Sequence, residues 1–174
     1  MNTFIALLRG INVGGHKKIL MSDLRELFEA IGFKNVQTYI QSGNVIYCSE
    51  ASAKEGESLI FNAILKQYGW DVPVIVKTSS EMEEILANCP FSEAKKENSY
   101  FTLLSEAPAK DMIEQVQNLS YSKEEFIITD NCIYFYAENY GRTKFKNNFF
   151  ERKLKVKTTA RNYRTMVKLI SLSS

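Results

Sequence analysis

A glycine-rich loop near the N-terminus holds the first residues whose types and spacing suit chemistry. The segment Arg9–Lys18 has the sequence RGINVGGHKK and lies between a predicted strand and a predicted helix. Glycines at such a junction let backbone amides surround an anion, and the lysines add positive charge. The loop matches neither nucleotide-binding signature, because His16 occupies the lysine position of a Walker A loop and GxGxxG is absent. The simpler interpretation is a long connection whose glycines permit positive φ.

One histidine and one hairpin serine are candidates for acid–base or nucleophilic chemistry. His16 is the single histidine of the chain, and an imidazole can act as a general acid or base near neutral pH. No carboxylate neighbours it in sequence, so a solvated loop residue is the simpler interpretation. Ser42 lacks a GxSxG context and an assignable base, so turn formation explains Ser42 and Gly43 better than catalysis does. An enzyme with a site in a cleft between the two halves of the chain stays open as an alternative.

The segment TTARNYRTMVKL near the C-terminus is the third candidate. We predict a helix over Arg161–Leu172 with Thr159 as its N-cap. The apolar side of this helix comprises Tyr163, Met166, Val167 and Ile170. At about 100° per residue, Arg161, Arg164 and Lys168 share the other side. Arg161 then lies at a helix start, where the helix dipole disfavours a cation, and this breach of a local rule hints at function.

Cysteine usage and the lack of long apolar runs exclude several classes of protein. Cys48, Cys89 and Cys132 lie far apart without a CxxC motif, which indicates reduced thiols in a cytoplasmic protein. Three scattered cysteines and one histidine do not form a zinc cluster. The apolar run Phe4–Leu8 is too short for a signal peptide or a membrane span. We therefore expect no metal, no cofactor and no membrane partner.

The predicted elements that position these candidates occur in two similar series. Residues 1–78 have the order βαββαβ, which is the ferredoxin-like motif. Residues 79–97 form a linker helix, opened by a capping box at Ser80–Glu83, and a loop. The order starts again in residues 98–174, where the final strand is unclear beyond the short segment Val156–Thr159.

The two series also have similar amino-acid sequences at their hairpins. Residues 39–47, YIQSGNVIY, align without a gap to residues 126–134, FIITDNCIY, and the first strands give IALLR beside FTLLS. Shared element order and shared letters favour an internal duplication over two unrelated aromatic hairpins. The predicted fold class is therefore α+β, with two fused ferredoxin-like subdomains, antiparallel sheets and helices on one face of each sheet.

Three motifs, RGINVGG, YIQSGNV and TTARNYRTMVKL, resemble those of an uncharacterised bacterial family called domain of unknown function 1697. The resemblance spans nearly the whole chain. It implies a pair of fused ferredoxin-like subdomains and no established activity, substrate or cofactor. The family pattern points to Arg9, Gly10, Asn12, Gly14, Gly15, Gln41, Ser42, Gly43, Asn44, Arg161, Asn162, Thr165 and Lys168. Tyr163 and Arg164 depart from that pattern.

The function we favour is a binding module for an anionic ligand, namely a nucleotide, a phosphorylated metabolite or a nucleic-acid backbone. In this hypothesis the Arg9–Lys18 loop and the Arg161–Lys168 segment face one pocket. Arg161 supplies a bidentate fork for phosphate, and Lys17 or Lys168 adds a point charge.

Two further alternatives involve the sheets. RNA binding on a sheet face needs exposed aromatic side chains on central strands. The candidates are Tyr39, Tyr47, Tyr134 and Tyr136. A structural role would use the strand Val72–Lys77, which Pro73 places at a sheet edge, to pair the chain into a weak homodimer. A monomer is the other expected state.

The net charge of +2 conceals an uneven distribution along the chain. Residues 142–174 contain ten basic residues and one acidic residue, for +9, whereas residues 1–141 contain 12 basic and 19 acidic residues, for −7. Such asymmetry indicates an anionic partner, although the basic part can equally dock on the acidic part.

Overall fold

The chain folds into two four-stranded antiparallel sheets. The structure is a computed structural model that describes residues 1–119 and 124–174. The chain divides into two units, the first comprising residues 1–83 with 168–174 and the second comprising residues 84–167. Helices cover a face of each sheet. The predicted fold class of duplicated ferredoxin-like subdomains is confirmed.

The first unit follows the predicted βαββαβ order. Its elements are β1 (Asn2–Leu8), α1 (Met21–Ala30), β2 (Lys34–Tyr39), β3 (Asn44–Ser49), α2 (Ala53–Tyr68) and β4 (Val74–Thr78). The strand order in the sheet is β2-β3-β1-β4, with every neighbouring pair antiparallel. Strand β4 therefore lies at an edge, as predicted from the proline before it. Helix α3 (Ser79–Ala87) follows directly.

The second unit repeats the order and completes it. Its elements are α4 (Glu93–Lys96), β5 (Tyr100–Leu104), α5 (Lys110–Gln117), β6 (Glu124–Ile128), β7 (Cys132–Ala137), α6 (Asn147–Leu154), β8 (Thr158–Asn162) and α7 (Tyr163–Ser173). The strand order β6-β7-β5-β8 matches that of the first sheet position by position. Strand β8 is the final strand that sequence patterning left unclear. The structure corrects that prediction.

Aromatic and aliphatic side chains fill the helix-covered face of each sheet. In the first unit, Leu24, Leu27 and Phe28 are buried on α1, at the i, i+3, i+4 spacing of an amphipathic helix. The Tyr47 ring stacks on Phe33 with centroids 4.2 Å apart. The second unit buries phenylalanines in the corresponding place, among them Phe126, Phe135, Phe145 and Phe150. These cores fix the strands whose ends and loops carry the candidate residues.

The duplicated hairpins match in topology, but the ungapped alignment of their letters is wrong by one residue. Tyr47 belongs to the helix-side core of the first unit, whereas in the second unit Ile133 and Phe135 belong to that core. Tyr134, between them, points to the opposite face, where its hydroxyl donates to the Ile85 carbonyl oxygen at 2.8 Å. Side chains alternate along a strand, so a slip of one residue exchanges the two faces.

Capping interactions define two helix starts more exactly than spacing does. The predicted capping box at Ser80–Glu83 is wrong. The box uses Thr78, whose amide and hydroxyl both contact the Glu81 carboxylate while the Glu81 amide donates back to Thr78 at 3.2 Å. An equivalent box joins Ser52 and Glu55 at the start of α2, and these residues have the S-x-x-E spacing of such a box.

Glutamates from the covering helices contact one of the two outer strands of each sheet, β4 in the first and β8 in the second. Glu57 of α2 accepts a hydrogen bond from the Val76 amide of β4 at 3.1 Å. Glu151 of α6 accepts one from the Thr158 amide of β8 at 2.8 Å. Both amides belong to edge strands, so these carboxylates occupy donors that another strand would otherwise use.

Candidate functional site

The glycine-rich loop forms a small hairpin rather than an open cradle. Val13 and His16 form an antiparallel bridge, and the Asn12 amide donates to the Lys17 carbonyl oxygen at 3.1 Å. Between the bridged residues, Gly14 and Gly15 both have positive φ, at +57° and +78°. Two positive φ values are the requirement of a type I′ turn, which explains the glycine pair. The pair therefore has a structural role at an exposed tip.

Asn12 holds the base of this hairpin. Its side-chain amide donates to the carbonyl oxygens of Ile19 and Gln41, both at 3.0 Å, and its Oδ1 accepts from the Ile19 amide at 2.9 Å. Its own φ is +55°, a conformation that asparagine tolerates better than most residues do. Asn12 thus ties the loop to the turn between β2 and β3.

The two lysines of the loop have different environments. Lys17 donates from Nζ to the Asp71 carbonyl oxygen at 2.6 Å, so it fastens the hairpin to the segment before β4. Lys18 is exposed, and within the part of the chain that the structure describes its ammonium makes no ion pair. Lys18, which was not among the predicted site residues, is therefore the better placed of the two for a ligand.

Residues 41–44 are held by structural contacts. Asn44 is fully buried and donates from Nδ2 to the Tyr39 carbonyl oxygen at 3.1 Å and to the Ser42 hydroxyl at 2.9 Å. Gly43 has φ +81°, and a Cβ at this position would lie 2.7 Å from the Leu8 Cβ. These contacts agree with the interpretation that Ser42, Gly43 and Asn44 build the turn.

A cleft of about 410 Å³ lies where the loop meets the start of α1. Its lining comprises Asn12, Gly15, Lys18, Ile19, Leu20, Met21, Asp23 and Gln41. The N-cap of α1 is Leu20, and no side chain caps the first amides of the helix. By residue type the sequence predicts Ser22 as the cap of this helix. In the structure Ser22 is already inside the helix and donates from its hydroxyl to Asp23 Oδ1 at 3.0 Å. The cleft thus combines uncapped amides, one cation and one carboxylate.

The C-terminal candidates lie on a strand and a helix instead of one helix. Arg161 and Asn162 end β8, and α7 starts at Tyr163, so the predicted helix start at Arg161 with Thr159 as cap is wrong. Asn162 is the residue whose Oδ1 accepts from the Thr165 amide, at 2.9 Å. Threonine and asparagine are common both at helix caps and at strand ends. Here residues 158–162 pair with β5, so Thr159 lies in a strand.

Arg161 is a buried cation in the second sheet. It is 9% exposed, lies opposite Phe101 in the strand register, and donates from one guanidinium nitrogen to the Thr159 hydroxyl at 2.8 Å and the Ala160 carbonyl oxygen at 2.9 Å. Desolvation lowers its pKa to about 10, so it stays charged at neutral pH. The macrodipole argument for Arg161 no longer applies, because Arg161 is not at a helix start.

The remaining cations of this segment, Arg164 and Lys168, are exposed on α7. Thr165 and Met166 are buried there, whereas Val167, which we expected to be packed, is 40% exposed. The predicted division of this helix into a packed side and a cationic side is therefore only partly correct.

The aromatic residues proposed for RNA binding on a sheet face do not form an open platform. Tyr47 is fully buried and Tyr134 is 1% exposed. Tyr39 and Tyr136 are half-buried. Tyr47 and Tyr134 are therefore excluded as residues on which bases stack at a sheet face.

Acid–base and metal candidates remain sparse. His16 is exposed at the loop tip, and within residues 1–119 and 124–174 its imidazole makes no hydrogen bond or ion pair. The same described residues contain no group of three or more histidine, cysteine, aspartate or glutamate side chains suited to a metal ion. None of the helices described has both the length and the apolar character needed to cross a bilayer.

Three of the predicted site residues, Asn12, Gly15 and Gln41, come together in the cleft, and two residues there were missed. Lys18 was missed because the hairpin determines which lysine lines the cleft. Asp23 was missed because a cap at Ser22 places the start of α1 two residues too late. A Gly-Gly pair flanked by residues able to bridge was the available signal for the hairpin. The predicted pocket shared by the loop and the Arg161–Lys168 segment stays a prediction.

Comparisons with known proteins give a family and a similar solved structure, and they assign no activity. A family described as "Protein of unknown function (DUF1697)" matches residues 1–134. The solved structure of a conserved bacterial protein, SP0830 from Streptococcus pneumoniae, is similar at a TM-score of 0.78 and 23% identity, covering 99% of this chain and 98% of that one. No curated protein matches the chain.

Proposed function

This chain belongs to the family of proteins of unknown function DUF1697, and we propose that it binds a small phosphorylated ligand in the cleft beside α1. The observation that carries the proposal is the joint presence in that cleft of Lys18 and the uncapped N-terminal turn of α1. Amides at a helix start and an ammonium group both favour a phosphate over a neutral group.

The remaining lining narrows the ligand class. Asp23 would repel a second anionic group but accepts hydrogen bonds from hydroxyl or amino groups, and Gln41 both donates and accepts. A nucleotide or a phosphorylated metabolite carries a phosphate at one end and such groups at the other. A cleft of about 410 Å³ suits a molecule of that size.

A titration against a panel of nucleotides, sugar phosphates and inorganic phosphate tests this proposal. We expect at least one organic phosphate to bind, and Lys18→Ala to weaken it about tenfold, because one charge-assisted hydrogen bond is lost. Lys66→Ala is the matched control, since Lys66 is an exposed lysine on α2 and does not line the cleft.

Two results would overturn the proposal. One is that no phosphorylated compound binds. The other is that Lys18→Ala and Lys66→Ala weaken binding equally, which would indicate general charge attraction instead of a site. Asp23→Asn separates the ligand classes, because it should weaken a nucleotide or sugar phosphate more than it weakens inorganic phosphate.

A further inference from the structure

We infer that a basic surface on the second unit binds the phosphodiester backbone of a nucleic acid, at a place separate from the proposed cleft. We call it the α6 surface. It comprises Arg142, Lys144, Lys146, Arg152, Lys153 and Lys155, all exposed. Residues 142–157 contain seven basic residues and one acidic residue, Glu151.

Local structure turns these side chains outward. Before α6, the chain alternates: Thr143 and Phe145 are buried while Arg142, Lys144 and Lys146 are exposed. The three cations therefore share the solvent side of this segment.

Helix α6 continues the same arrangement. Phe150 and Leu154 are buried, and Arg152 and Lys153 lie away from them in the last turn. Lys155 follows as C-cap in the left-handed conformation, with φ +59°, where glycine is the usual residue. Cations in the last turn suit the helix dipole, but the dipole gives no reason for the three cations before the helix.

The cations of the α6 surface are not neutralised by nearby acids. Within the described residues none of the six forms an ion pair, and Lys146 donates to the Gly141 carbonyl oxygen at 3.2 Å. Glu151 accepts a hydrogen bond from the Thr158 amide. The positive charge is thus presented to solvent.

The first unit shows that the fold itself does not require these cations. The corresponding connection from β3 to β4, residues 50–73, has two basic and four acidic residues, for a net charge of −2. The connection from β7 to β8, residues 138–157, has seven basic and two acidic residues, for +5. Two copies of one element order differ by seven charges, so the element order does not require these cations.

The chemistry of the surface favours nucleic acid over a lipid bilayer. A membrane-binding helix needs an exposed apolar side, but the apolar side of α6 is buried in the core of its own unit. Large apolar side chains that are exposed in the described part of the chain all lie outside residues 138–157. Lysine-rich surfaces contact phosphates without reading bases, so binding should be independent of sequence and sensitive to salt.

Fluorescence anisotropy with short labelled DNA and RNA oligonucleotides tests the inference. We compare the double variant Arg152→Gln/Lys153→Gln with the control Lys34→Gln/Lys66→Gln, which removes two exposed cations from the first unit. We expect the α6-surface variant to weaken binding about tenfold at low salt, and to reduce the slope of log K against log salt by about 1.5. The control should leave both quantities nearly unchanged.

Three results would overturn the inference. They are no binding of either oligonucleotide at about 50 mM salt, equal weakening by the two double variants, and binding to anionic vesicles without binding to oligonucleotides. Lys18→Ala should not change oligonucleotide binding. Failure at the cleft and failure at the α6 surface are therefore distinguishable.

Discussion

The two units share one strand order but differ in how they accommodate a buried tyrosine hydroxyl on the third strand of each sheet. In the first unit the Tyr47 hydroxyl is buried against Gly56 and makes no hydrogen bond within the described residues. In the second unit the Tyr134 hydroxyl, on the opposite face of its sheet, donates to the Ile85 carbonyl oxygen. The same strand order is therefore compatible with different side-chain contacts, and the two tyrosines are an example of that difference.

The largest effect is expected at the turn of the first hairpin. In Gly43→Ala, the new methyl group meets Leu8 at 2.7 Å in a backbone conformation with φ +81°. We expect the free energy of unfolding to fall by about 3 kcal/mol or more, because both strain and overpacking act. Urea denaturation measures it.

Gly141→Ala in the second unit is the matched control. The added Cβ would have its nearest neighbour, Asn139 Oδ1, at 3.4 Å, and this glycine does not have positive φ. The change should stay within about 0.5 kcal/mol. Equal losses for the two variants would contradict the special role of Gly43.

The next effect concerns the close approach of α2 to β3. A methyl group at Gly56 would lie 2.4 Å from the Tyr47 hydroxyl oxygen. We expect Gly56→Ala to cost about 2 kcal/mol despite the better helix propensity of alanine. In the Tyr47→Phe background the same change should be neutral or stabilising, since the clashing atom is gone. A double-mutant cycle without coupling would disprove the contact.

The two tyrosines should respond oppositely to removal of the hydroxyl. Tyr134→Phe loses a buried hydrogen bond and should cost about 1 kcal/mol. Tyr47→Phe removes a buried hydroxyl that lacks a partner and keeps the ring stacked on Phe33, so it should be neutral or stabilise by up to about 1 kcal/mol. If both variants lose stability equally, the contrast between the units fails.

The smallest effect is a pH dependence at Tyr47. Burial raises the pKa of Tyr47 above its usual value, and the nearby Glu57 carboxylate raises it further. The folded state therefore holds this proton more tightly than the unfolded chain, whose tyrosine titrates near pH 10. The contribution of Tyr47 is fully present below about pH 10 and falls as pH rises above it.

Urea midpoints between about pH 8 and pH 10.5 test this dependence. Tyr47→Phe should reduce the alkaline loss of stability by up to about 1 kcal/mol. An unchanged pH profile in the variant would show that Tyr47 does not titrate differently in the two states.

The sequence was sufficient for the topology of the first unit and for most of the second, where β8 was not predicted, but it was not sufficient for the geometry of the site. Helical spacing in α1 and alternation in the strands predicted the element order, because burial imposes those periods. Two outcomes depend on tertiary pairing, which no local pattern encodes. Arg161 is a buried strand residue instead of a helix residue because residues 158–162 pair with β5. Lys18 lines the cleft while Lys17 contacts Asp71 because of the turn at Gly14–Gly15.

The charge asymmetry was predictable, but its location on the structure was not. The sequence assigns the excess of cations to residues 142–174, and the structure shows that most of them lie in residues 142–157, before β8. Net charge can be counted from the sequence. The direction in which each cationic side chain points depends on which of its neighbours, such as Phe145 and Phe150, are buried in the core.

The carboxylates of Glu57 and Glu151 also bear on how the protein behaves when concentrated. Exposed edge strands recruit further chains into aggregates and fibrils, and both glutamates occupy an amide on such a strand. Each glutamate comes from the helix that covers its own sheet, so the protection forms with the fold and needs no partner. Strands β4 and β8 should therefore resist pairing with strands of other chains as long as those two helices stay docked.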